Sequence, residues 1–155
     1  MPETLQKEIH RLDRGLLTSG LVIVIFFFFS SWFSLNLEGA PIDIRGFQIG
    51  LLAGWFLEGS VRERWILRLI QFLPLFSACL SGMFLWGKSS DKRRLLRIIA
   101  VVSMISMVYL INLKSKVGTL SEPTTVQWGM FAVFVGVVCM LCGSLYSLRD
   151  GALDG

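Results

Sequence analysis

The chain carries one histidine, His10, and that scarcity removes whole classes of chemistry. A bis-histidine haem needs two such ligands, and zinc or di-iron centres need clusters of histidine and carboxylate. This chain alone supplies neither. Acidic residues are missing from four long apolar stretches, at about 15–35, 65–86, 95–113 and 125–148. Pumps place carboxylates inside such stretches, so the pattern argues against one. Cysteine is scarce too. Cys79, Cys139 and Cys142 all lie in apolar runs, away from any loop where an oxidising compartment would use them as a framework.

Apolar side chains are what the chain has in excess. Of 155 residues 54% are hydrophobic, and the mean hydropathy of +0.65 is too high for an ordinary soluble domain. Residues Gly15 to Ser34 contain no charge, with Phe26-Phe27-Phe28-Phe29 in the middle. At about 1.5 Å per residue, such a run crosses the roughly 30 Å hydrocarbon layer of a bilayer. The expected fold is therefore all-α: a polytopic membrane protein, a four-transmembrane-helix bundle with short interfacial helices.

The boundaries follow from charge and periodicity. Leu5, Ile9, Leu12 and Leu16 recur at helical spacing while Lys7, Arg11 and Arg14 take other faces, which predicts a cytoplasmic amphipathic helix over 1–14. Glu3, Glu8 and Asp13 in that segment, and the length of the run after it, argue against a cleaved signal peptide. A transmembrane domain is expected over 15–148, with Trp32 anchoring one end of the first span, and a short tail over 149–155. Between spans 1 and 2, Ile42, Ile44 and Phe47 alternate with Asp43, Arg45 and Gln48 after a turn signal at Gly39-Ala40-Pro41. The apolar part of 46–58 is too short to cross, so an interfacial or re-entrant segment is expected there. Pro74 predicts a kink in span 2, and Ser121 ahead of Pro123 offers a cap for span 4.

Nine lysines and arginines fall on the side of the N-terminus and six on the other, which places both termini in the cytoplasm. The net charge of +4 flanks the apolar runs, as anionic headgroups require, and gives no case for nucleic acid.

Two constellations stand out. Arg62, Arg64 and Arg68 cluster at the edge of span 2; Arg64 and Arg68, continued by Gln71, share a helical face, and Arg62 stands four residues after Glu58. That face suits a lipid phosphate or an acidic group on a partner subunit, or simply marks the membrane edge by snorkelling. In span 4, Gly129, Gly136 and Gly143 repeat every seven residues, and Ala132 and Cys139 adjoin them. This seam of small residues invites close helix approach, within the chain or to another subunit. Cys139 and Cys142 form a C-x-x-C pair, but a redox thiol needs access and a lowered pKa, so the two read as packing residues.

The expected role is non-catalytic: an integral membrane subunit that docks into and scaffolds a larger membrane complex, with no cofactor held by this chain alone. The expected partners are the bilayer and other membrane subunits or copies of itself; its apolar faces would contact lipid or a pigment. The alternative is a small homo-oligomeric channel or transporter whose pore is formed by several copies. An enzyme acting on thiols or quinones is a third reading.

Overall fold

The computed structural model describes residues 3–37, 40–49, 69–87, 91–117 and 124–150. In chain order these form α1 (Glu3–Phe28), β1 (Ser31–Leu37), β2 (Ala40–Arg45), a 3-10 turn (Gly46–Gln48), α2 (Leu73–Trp86), α3 (Lys92–Val117), β3 (Thr124–Val126) and α4 (Trp128–Asp150). The molecule is mostly helical. Two helices, within Lys92–Ser115 and Trp128–Arg149, are long and apolar enough to cross a membrane. Leu73–Trp86 is apolar but shorter.

The helices run alternately toward and away from a three-stranded antiparallel sheet of order β2-β1-β3. The Phe28 ring, ending α1, lies 5.9 Å from the ring of Phe72 just before α2. Lys114, near the end of α3, sits over the ring of Phe131 at the start of α4. Around the bundle α1 neighbours α4 and α2, and α3 neighbours the same two. Leu17, Val24, Phe28, Ile99, Leu110, Val133, Val137 and Met140 fill the space between them.

The sheet corrects the all-α expectation, and it shortens the first span. The expected helix over 15–35 ends at Phe28, and β1 starts at Ser31. Serine accounts for the break. The backbone N–H of Ser30 donates to the Phe27 carbonyl at 3.2 Å and its hydroxyl donates to the same oxygen at 2.7 Å. Trp32 Nε1 adds a third bond to that oxygen at 3.1 Å. A side chain that satisfies the last carbonyls of a helix competes with its continuation. Trp32 is accordingly no interfacial anchor at a helix end; it is fully buried.

The register shows how Trp32 reaches the core. Ser31 faces Arg45 and Phe33 faces Ile44, so two steps on β1 oppose one on β2. This bulge lets both Trp32 and Phe33 turn inward, although strict alternation would send one of them out. The Trp32 ring meets Phe28 edge-on at 5.7 Å, and Gly46 leaves room for it: a Cβ there would lie 2.5 Å from Trp32 Cε2.

Other boundaries also differ. The amphipathic segment and the first span are one continuous helix, because nothing between Asp13 and Gly15 stops it. Thr124–Val126 is strand, so the last helix begins at Trp128 and not at Thr125. The Ser121 cap and most of segment 46–58 lie outside the described residues. Pro74 does not kink a helix in mid-course. It stands in the first turn of α2, where a missing N–H removes no bond, and the discontinuity falls at Gln71–Phe72.

Helix α1 lies close against α4. A Cβ at Gly136 would sit 2.9 Å from Val24 Cγ2 and 3.0 Å from the Gly20 carbonyl oxygen. Gly136→Leu is expected to lower stability by about 1–3 kcal/mol, since the neighbours are backbone and β-branched side chain that yield little. Gly15→Ala, which meets nothing within 4 Å, is expected to be neutral or stabilising. Thermal unfolding of both variants in the same detergent checks the contrast.

Candidate functional site

The glycine seam of α4 is the best-defined of the two constellations. Gly143 packs on the Asp13 carbonyl oxygen and on Leu17, Gly136 on Gly20 and Val24, and Gly129 on Ser30 and Ser31. As α4 descends α1 ascends, so the two run antiparallel with contacts every seven residues, the spacing of side-by-side helices. The seam is thus occupied by a helix of the same chain. Ala132 and Cys139 beside it are half-buried.

Gly20 is the residue that the sequence reasoning missed. A Cβ on it would fall 2.5 Å from the Gly136 carbonyl oxygen and 2.6 Å from Met140 Cγ. The signal was present as buried positions 13, 17, 20, 24 and 28 on α1, but they straddle the boundary drawn between the amphipathic segment and the span. Asp13 lies on this face, 2% exposed, its carboxylate accepting the Arg14 backbone N–H at 2.6 Å.

Of the arginine face, Arg62, Arg64 and Arg68 lie outside the described residues. Gln71 is described, and it is 3% exposed at the turn preceding α2, so its amide is enclosed by protein.

A polar node occupies the bundle interior. Ser77 on α2 and Ser103 on α3 place their hydroxyl oxygens 2.6 Å apart, and Ser77 also donates to Met140 Sδ on α4 at 3.9 Å. Ser81, Ser106 and Ser144 are buried too, and each donates to a carbonyl of its own helix. These hydroxyls point inward and are bonded.

The three cysteines are free thiols: Cys79 is exposed, and Cys139 and Cys142 are half-buried on α4. Among the described residues no group of three or more His, Cys, Asp or Glu side chains comes together. The arrangement is one of packing and hydrogen bonding. No family model matches the chain, and no curated protein or solved structure matches it significantly.

A double-mutant cycle should show that the serines act as a pair. Ser77→Ala and Ser103→Ala are each expected to destabilise, with a coupling energy of about 0.6 kcal/mol and at most about 1.7 kcal/mol, the span measured for bonds between helices in lipid. Reversible unfolding of the four proteins measures it; strictly additive losses would mean that the two hydroxyls are held independently.

Proposed function

We propose that the chain is a four-helix integral membrane protein that serves as a non-catalytic subunit, docking into and scaffolding a larger membrane assembly. The observation that carries the membrane part is the exterior. All four helices turn large apolar side chains outward, among them Val22 and Phe26 on α1, Phe76 and Met83 on α2, Val101, Met104 and Val108 on α3, and Phe131 and Val135 on α4. Only 39% and 33% of the apolar windows of the two long helices are buried, whereas the core helix of a soluble protein would be mostly buried. Exteriors of this kind belong in hydrocarbon.

Charge supports an orientation. Among the residues whose side chains are described, Arg14, Lys92, Arg93, Arg94, Arg97 and Arg149 gather at the end away from the sheet, against Arg45 and Lys114 at the sheet end. The basic end, where α1 begins and α4 ends, would face the cytoplasm.

The scaffold reading is favoured over a pore shared by several copies. Such a pore needs polar side chains on an outward face. Here Ser77, Ser81, Ser103, Ser106 and Ser144 are buried and the outward faces carry mostly Phe, Ile, Val and Met, with Thr18, Ser19 and Tyr146 as exposed polar side chains among them. Of the outward polar groups, the Asn112 amide donates to the Val108 carbonyl of its own helix.

Purification under mild detergent is the test. The reading expects other polypeptides at fixed stoichiometry; a symmetric self-oligomer that conducts ions in liposomes would overturn it. The arginine face is proposed as a contact to that partner, so Arg68→Ala should weaken retention of the partner several-fold more than Lys114→Ala. Equal losses in a quantitative pull-down would reduce Arg68 to a marker of the membrane edge.

A further inference from the structure

We propose that the chain fits a bilayer whose hydrocarbon layer is about 25 Å thick, thinner than the roughly 30 Å of an average membrane. This rests on the membrane reading above and adds which lipid the exterior takes.

One level can be followed across all four helices. Ser77 and Ser103 mark it on α2 and α3. Gly20 marks it on α1, and because Gly20 lies against both Gly136 and Met140, α4 crosses it midway between them. Moving toward the basic end, Arg14 on α1 and Arg97 on α3 each stand six residues away, about 9 Å at the helical rise. Both are exposed. Two separate helices therefore bring a charged side chain to the same depth, whereas the first charge on α4, Arg149, stands about eleven residues from the level, roughly 16 Å.

Toward the sheet, three features set the opposite limit. The helical part of α1 ends eight residues on, about 12 Å from the level, and strand backbone follows. An open sheet carrying exposed Asp43 and Arg45 has no place in hydrocarbon. Lys114 on α3 stands eleven residues from the level, about 16 Å, and Trp128 on α4 about ten, about 15 Å. Trp128 is 84% exposed, the disposition of an interfacial aromatic. On α3 alone, Arg97 and Lys114 are seventeen residues apart, about 25 Å.

Side-chain reach leaves that figure standing. Side chains lean toward the N-terminus of their helix. Arg14 and Arg97 thus lean outward to the headgroups and add a few ångströms there. Lys114 leans inward, and its ammonium is held 5.3 Å from the centre of the Phe131 ring, three residues inside Trp128. One displacement offsets the other. Mismatch costs fractions of a kcal/mol per ångström, which suffices to sort proteins between membranes.

The test uses the full chain in phosphatidylcholine vesicles with monounsaturated acyl chains graded from about fourteen to about twenty-two carbons. Thermal unfolding is followed by tryptophan fluorescence, and alkaline carbonate extraction is run on the same samples. The expected result is the highest midpoint in the two shortest lipids and a fall of roughly 5 °C or more toward the longest. The double variant Arg14→Leu with Arg97→Leu lengthens the apolar belt and should move the optimum to longer chains. An optimum at eighteen carbons or beyond, a flat profile, or an optimum that the double variant leaves in place would overturn the proposal. A chain that resists carbonate yet prefers long lipids sinks the thickness alone; one that carbonate releases sinks the membrane reading with it.

Discussion

The contact on which the rest depends is backbone against backbone, where α1 and α4 pass each other at Gly20 and Gly136. Between helices surrounded by apolar material there is little hydrophobic drive, so association depends on dispersion, which falls steeply with distance. Removing Cβ on both sides lets the helices close. The same antiparallel pairing builds the sheet. Strand β1 leaves the end of α1 and β3 leads into α4, so holding those helices together sets Ser34 beside Thr125. The uppermost contact, Gly129 on Ser30 and Ser31, is where the helix pair hands over to the strand pair.

Polar groups are placed to suit that packing. The Phe27 carbonyl would be left over at a helix end, and it collects three donors from Ser30 and Trp32. The Trp32 carbonyl, released from the ladder by the bulge, accepts the Gln127 N–H at 2.8 Å. Serine hydroxyls in the interior bond either to a neighbouring helix or back to their own. A buried polar atom without a partner costs more than a bond gains, so these local choices decide which helix ends and strand bends the apolar packing can use.

Much of this is legible in the amino-acid sequence. The seven-residue recurrence of glycine in span 4 is a pattern of composition, and it needs no knowledge of the partner to be seen. The partner was hidden for a physical reason: α1 meets the seam partly with Asp13, which shares the 1–14 segment with charges and so reads as surface, and partly with Leu17, which falls in the uncharged run beyond it, so one face is split between two expected elements. The end of α1 was hidden differently. From Phe26 to Leu35 the chain is apolar apart from three serines, and a buried strand and a buried helix look alike in such a run. The alternation of Ile42 and Ile44 with Asp43 and Arg45 carried the strand signal, but β2 is stable only through β1, and β3 has only three residues. The pairing of Ser77 with Ser103 crosses 26 positions, and one chain's residue order does not record it.

The intramolecular use of the seam bears on how a partner would hold this molecule. With Gly129, Gly136 and Gly143 closed against α1, the outward faces present large side chains, which keep a neighbouring helix backbone at a distance. Lateral contact in lipid would then gain mainly dispersion, in competition with acyl chains that offer nearly the same. On the membrane reading the two ends differ, because they would meet water and headgroups. There Ile42 on β2 gains from desolvation, and the basic groups at the other end gain from charge pairing that lipid tails cannot provide. A partner that engages an end therefore has more free energy available per contact than one that engages the flank, and on the scaffold reading the ends, with the arginine face near span 2, are where specificity would reside.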